Sequence, residues 1–170
     1  AALGTNAGQV ITGNNNTSIG FASATSVSGD SNAALGSGAG SYITGSDNLS
    51  GGSYGGYGLT GSGNVAMGRG AATGVYSNNN GATFVKDGVT YSVGTVPLTT
   101  ASNVVALGSF ALTGANNATA VGGSSKASSA NSVALGTAAN VASTATSGIA
   151  VGQATVLGVN GIAQGTGSIS

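Results

Sequence analysis

The stretch Asn131-Ser132-Val133-Ala134-Leu135-Gly136 has two close copies upstream of it: Asn103-Val104-Val105-Ala106-Leu107-Gly108 and Asn117-Ala118-Thr119-Ala120-Val121-Gly122, set fourteen residues apart. Working outward, the same triplet-plus-glycine pattern ends at Gly4, Gly20, Gly36, Gly52, Gly68, Gly94, Gly108, Gly122, Gly136, Gly152 and Gly165. The residue two before each of these glycines is alanine or serine every time. The residue just before is mostly large and apolar, as in Leu3, Ile19, Leu35, Met67, Leu107, Val121, Leu135 and Val151, with Gly51 and Gln164 as exceptions. The first half carries a second series, Gly13, Gly29, Gly45 and Gly61, sixteen apart. Each of these follows an apolar residue and a hydroxyl: Ile11-Thr12, Val27-Ser28, Ile43-Thr44, Leu59-Thr60.

Internal repeats at fixed period indicate a stacked architecture. Fourteen to sixteen residues are too few for a pair of helices. They suit two short extended segments, each closed by a turn in which glycine supplies positive φ or a close backbone approach. Stacking such units predicts an all-β fold, a parallel β-solenoid (β-roll) of 14–16-residue two-strand coils, in which each strand hydrogen-bonds to its copies above and below. About ten coils at ~4.8 Å per strand make a rod roughly 50 Å long.

Period-2 geometry sorts the side chains of each strand. In Val133-Ala134-Leu135 the outer two share a face and alanine takes the other. A residue that is always small fits the thin gap between the two sheets of a flattened coil, which puts the large residues outside. The opposite assignment, large residues inward and alanine outward, stays open from pattern alone. With the large residues outside, a stripe through Leu35, Met67, Val105, Leu107, Val121, Val133, Leu135, Ile149 and Val151 runs along one face. Soluble monomers rarely expose such a patch. The stripe therefore predicts an interface with identical chains around a symmetry axis.

Composition agrees with a packed repeat and not with a flexible linker. Charged residues make up 4% of the 170 and 40% are hydrophobic, with 33 glycines and a formal charge of zero. Disordered segments usually combine low hydrophobicity with high net charge. Arg69, Lys86 and Lys126 form no cluster, so the expected partners exclude nucleic acid, which requires a basic footprint. No apolar run approaches the ~20 residues of a membrane helix, so no direct membrane insertion by this segment is expected. The chain starts in mid-pattern at Ala1-Ala2-Leu3-Gly4 and reads as a fragment of something longer. Cysteine is absent, which removes disulfides and thiolate metal sites without fixing the compartment.

The 26-residue interval between Gly68 and Gly94 breaks the rhythm. Asp87-Gly88 between two β-rich runs signals a hairpin, with Thr83–Lys86 and Val89–Val93 as its arms, projecting from the roll. Tyr91-Ser92-Val93-Gly94 also fits the repeat, and Val96-Pro97-Leu98-Thr99 aligns with Phe110-Ala111-Leu112-Thr113 as an outer strand. The chain thus divides into N-terminal coils over 1–74, a hairpin insertion with an irregular coil over 75–102, and C-terminal coils over 103–170.

Catalytic chemistry has little to work with. Histidine, cysteine and glutamate are missing, and the acids are Asp30, Asp47 and Asp87. Positioned acids, bases or nucleophiles are what an enzyme needs, so no enzyme, cofactor or metal is expected. Asp30 and Asp47, seventeen apart, approach on adjacent coils but read as solvated turn residues. Tyr54 and Tyr57, in Ser-Gly-Gly-Ser-Tyr-Gly-Gly-Tyr-Gly, are either a binding surface or rings packed over glycines.

The motifs NSVALGTAA, NVVALGSFALTG and NAALGSGAG resemble the repeat of the YadA-like head domains of trimeric autotransporter adhesins. The likeness is best from Asn103 to Gly152 and stays in register from Ala1 to Gly68. It implies a left-handed parallel β-roll assembled as a homotrimer, with the hairpin as a head insert. It also implies a virulence factor on the bacterial cell surface, tethered to the outer membrane by parts outside this segment, and adhesion to host extracellular matrix proteins or the host cell surface. No ligand-binding residue carries over, because the shared motif is a folding motif. Two other readings stand beside it: a purely structural phage- or pilus-like fibre, and an ice-binding solenoid. The latter needs paired threonine columns, and only one ladder, Thr12, Thr44 and Thr60 with Ser28 between, is found.

Overall fold

The computed structural model describes residues 1–71, the backbone of 83–86 and 89–92, and 101–170. Every element in it is a strand, and nearly all pair in parallel. One sheet has ten strands, in chain order: Ala2–Leu3, Thr17–Ile19, Ala33–Leu35, Leu49–Gly51, Val65–Met67, Val105–Leu107, Thr119–Val121, Val133–Leu135, Ile149–Val151 and Ile162–Gln164. Its register aligns each small middle residue with the next, so that Ala106 faces Ala120, Ala120 faces Ala134 and Ala134 faces Ala150. The molecule is a parallel β-solenoid, as the repeat predicts.

A second ladder closes each coil, and it differs between the halves. In the first half Ile11–Thr12 pairs with Val27–Ser28, and single bridges carry the ladder on from Ser28 to Thr44 and Thr60. In the second half Leu112–Thr113, Lys126–Ala127, Asn140–Val141 and Thr155–Val156 form a four-stranded sheet. The coil strands are two to three residues long, and turns take up most of each coil.

The core is thin. The alanine and serine column of the main sheet is buried throughout, from Ser18 through Ala163. It meets larger side chains from the second ladder: Val27, Ile43 and Leu59 in the first half, Val141 and Val156 in the second. Ala134 is fully buried while Leu135 is 38% exposed, so the assignment of small residues inward and large ones outward is the observed one. A small residue opposite a large one fills a narrow gap at interior density.

Glycine ends each main strand for a reason that Gly20 illustrates. Its φ of +126° is outside the range open to other residues. A Cβ there would also lie 2.6 Å from the carbonyl oxygen of Gly36 on the next coil. The position five before each such glycine is a left-handed column too: Asn15, Ser31, Asp47, Gly63, Asn103, Asn117, Asn131, Ser147 and Asn160 all have φ between 56° and 70°. Asparagine tolerates this conformation better than most residues, which accounts for the asparagine opening Asn131–Gly136.

A feature that the repeat count overlooks lies one residue further on. Asn16, Asn32, Asn48 and Asn64 stack as a buried ladder in the first half. The Oδ1 of Asn16 accepts from the Asn32 backbone N–H (2.9 Å) and Nδ2 (3.1 Å), and the Oδ1 of Asn32 accepts likewise from Asn48 (3.1 and 2.9 Å). The second amide hydrogen of each donates across the coil, to the carbonyls of Gly29, Gly45, Gly61 and Ala101 (2.8–3.1 Å). The ladder ends where the Val104 N–H donates to Asn64 Oδ1 at 3.2 Å. Buried amides must be paired, and only a neighbour displaced by one whole coil supplies the partners.

The interruption resolves differently from one expectation. Thr83–Lys86 and Val89–Ser92 do form an antiparallel hairpin, with Thr83 opposite Ser92 and Lys86 opposite Val89. Ser92 is thereby committed to the hairpin, and the main sheet passes directly from Val65–Met67 to Val105–Leu107. Tyr91-Ser92 is therefore not a coil strand: its backbone partners are Phe84 and Thr83. The turn residues Asp87-Gly88, the rest of Tyr91–Gly94, the Val96–Thr99 segment and the way the insertion packs lie outside the described residues.

Candidate functional site

Two outer surfaces have enough character to be functional. The first is the outside of the ten-stranded sheet. Its side chains fall into two columns. One runs Thr17, Ala33, Leu49, Val65, Val105, Thr119, Val133, Ile149, Ile162; the other runs Leu3, Ile19, Leu35, Gly51, Met67, Leu107, Val121, Leu135, Val151, Gln164. All nine residues expected at an interface between chains lie in these columns: Val105, Val133 and Ile149 in the first, Leu35, Met67, Leu107, Val121, Leu135 and Val151 in the second. Leu35 and Leu135 are exposed and the other seven half-buried. The columns also contain Leu3, Ile19 and Ile162, all exposed, which the sequence-derived stripe leaves out. At Gly51 the aliphatic column has a gap. The Met67 thioether leans into it, with Sδ 2.5 Å from where a Gly51 Cβ would stand. A flexible thioether suits such gap filling.

The second surface is on the first-half ladder. The hydroxyl-bearing residues Thr12, Ser28, Thr44 and Thr60 pair in sequence on its outward side. Beside them Ser26, Ser28, Tyr42, Ile43, Thr44, Gly58 and Thr60 line a shallow depression of about 260 Å³. The Tyr42 ring packs edge-on against Tyr57, centroids 5.3 Å apart at 64°, and Tyr54 packs on Tyr57 at 6.1 Å and 62°. Tyr54 also covers a glycine, as one sequence reading has it: a Cβ on Gly38 would come within 2.7 Å of its ring. Sequence reasoning singled out Tyr54 and Tyr57 but not Tyr42, the member that reaches the hydroxyl ladder. The available signal was its position two residues before Thr44.

Charge is dispersed over the described surface. The Arg69 guanidinium lies over the Phe110 ring at 5.3 Å on the adjacent coil. Lys126 is exposed between Leu112 and Asn140 in the four-stranded sheet. Asp30 and Asp47 do meet on adjacent coils, through the Asp47 N–H donating to the Asp30 carbonyl at 3.0 Å. The Asp30 carboxylate is engaged with the Asn14 backbone N–H at 2.6 Å, capping a turn. Among the described residues no group of three or more His, Cys, Asp or Glu converges, and no helix is long and apolar enough to cross a membrane. No protein-family model, curated protein or solved structure matches the chain.

Proposed function

We propose that this chain is a head segment of a bacterial surface adhesin, a left-handed β-roll that associates lengthwise as a homotrimer and attaches to host extracellular matrix or host cells without enzymatic activity. The observation that carries the reading is the pair of aliphatic columns on the outside of the ten-stranded sheet. One extends from Leu49 to Ile162 and the other from Leu3 to Val151 along the sheet, without a charged residue among them. Fully burying such a side chain is worth about 1.5–3 kcal/mol, and half-buried ones still gain on the order of 1 kcal/mol each on association. Copies of the same chain around an axis give every coil an identical partner at the same height. The likeness of the repeat to YadA-like heads supports three copies and a position at the outer membrane surface, held there by parts outside this segment.

Adhesion follows from repetition. Each coil presents a similar shallow outer surface, and a trimer multiplies it by three, so weak contacts gain by avidity. With 4% charged residues, capture relies on hydrogen bonds from serine, threonine and asparagine and on apolar contact. The test is light scattering at micromolar concentration, followed by binding of the assembled protein to immobilised collagen, fibronectin and laminin and to epithelial cells, with a heat-unfolded control. A stable folded monomer overturns the assembly, and no saturable binding overturns the adhesive role. A purely structural rod is the second reading, favoured by how much of each coil serves internal ladders, and it predicts trimerisation with no binding.

A further inference from the structure

The tyrosine and hydroxyl surface of the first half is separate from the aliphatic face used for assembly, and its chemistry is specific. We propose that the depression edged by Tyr42 binds an uncharged sugar ring, an inference that rests on the adhesive reading for its biological context. Four observations carry it.

First, size: about 260 Å³ is just under the ~300–1,000 Å³ of pockets for drug-sized ligands, so it suits a single ring held at the surface and not an extended ligand. Second, the lining pairs one aromatic ring with four hydroxyl residues, Ser26, Ser28, Thr44 and Thr60. A sugar presents the matching combination, an apolar C–H face for the electron-rich face of an aromatic ring and hydroxyls that donate and accept. Serine and threonine hydroxyls can each do both. None of these four is engaged in a side-chain hydrogen bond with another described residue, and Ser28, Thr44 and Thr60 rise on successive coils at the strand spacing of about 4.8 Å.

Third, no charged residue lines the depression, which matches a neutral ligand and leaves a sulfated or carboxylated one without a counter-charge. Fourth, the ring is held in place. Tyr57 braces Tyr42, and Tyr54 braces Tyr57. The Tyr42 backbone is left-handed, φ 62°, as it is along the whole turn column of Val10 (54°), Ser26 (61°) and Gly58 (71°), so the repeat fixes where the ring leaves the coil. Preorganisation of this kind raises affinity by sparing the ordering cost.

The experiment uses the whole 170-residue protein. An array of neutral, sialylated and sulfated glycans identifies ligands, and titration with the best neutral one is followed by intrinsic fluorescence. With five tyrosines and no tryptophan, that signal reports tyrosine directly. Expected are saturable binding of a neutral glycan, a tyrosine fluorescence change, and a loss of at least ~10-fold in affinity for both Tyr42→Ala and Thr44→Val. Thr44→Val keeps side-chain shape and aromatic cluster, so it decides the matter if Tyr42→Ala does not fold. Three results overturn the proposal: no neutral glycan bound, exclusive binding of acidic glycans, or affinity unchanged in Thr44→Val. Matrix and cell binding are measured on the same samples. Cell binding that persists without glycan binding sinks this site and leaves adhesion standing; glycan binding without cell binding does the reverse.

Discussion

Replacing Asn48 with alanine tests the asparagine ladder at its centre. The Asn48 side chain is 1% exposed. Its Nδ2 donates to Asn32 Oδ1 at 2.9 Å and to the Gly61 carbonyl at 3.0 Å, and its Oδ1 accepts from the Asn64 backbone N–H at 3.1 Å. Alanine removes all three. Asn32 Oδ1 keeps the Asn48 backbone N–H (3.1 Å), but the Gly61 carbonyl and the Asn64 N–H lose their side-chain partner inside the protein. A buried group left unpaired costs about 1–3 kcal/mol, so the pair gives about 2–6 kcal/mol, and we expect a loss near 4. That is a large share of a typical folding stability of about 5–15 kcal/mol. Asn16, at the outer end of the ladder and 7% exposed, should cost about half as much when changed to alanine, because water can reach the groups it leaves. The assay is urea unfolding followed by circular dichroism, all variants at one protein concentration since association shifts apparent stability. An unchanged slope against urea is the check that the same cooperative unit unfolds. A loss under 1 kcal/mol for Asn48→Ala, or an equal loss for Asn16→Ala, would refute the ladder as a stabilising element.

Three further outcomes are expected. The Thr113 hydroxyl is buried with no hydrogen-bond partner, in a column continued by Ala127 and Val141, so Thr113→Val should stabilise by about 1 kcal/mol in the same urea assay; a loss would mean that the hydroxyl has a partner. Gly122→Ala must bear φ +126° and a Cβ 2.6 Å from Gly136, and should cost at least ~3 kcal/mol, whereas Gly158→Ala meets nothing within 4 Å and should stay within about 0.5 kcal/mol; equal melting shifts for the two would contradict the packing argument. Leu135→Arg places a charge in the middle of the aliphatic columns and should lower the assembled mass seen by light scattering while the β-sheet circular dichroism remains, and an unaltered assembly would move the interface elsewhere.

The sequence by itself determined the coil. Glycine every fourteen or sixteen residues with a small residue two before it admits one economical solution, because only stacked coils give every copy the same neighbours. The always-small column favoured burying Ala134 of Val133-Ala134-Leu135, but the opposite assignment stayed open until the structure buried Ala134 and left Leu135 exposed. The hairpin arms were legible in Asp87-Gly88 and its flanks. What the tertiary structure decided concerns relations between coils. Asn16, Asn32, Asn48 and Asn64 are spaced as regularly as the glycines, yet asparagine is a turn residue by local preference, and only the register of adjacent coils converts it into a buried amide ladder. Ser92 matches the repeat as well as Ser50 does, yet its backbone pairs antiparallel with Thr83 and the main sheet passes from Val65–Met67 to Val105–Leu107 without it, a choice between two partners that the local pattern does not encode. Tyr42 reads as an unremarked aromatic until Tyr57 and Thr44 come beside it, since neighbours across a coil are set by the closing of the backbone and not by local sequence.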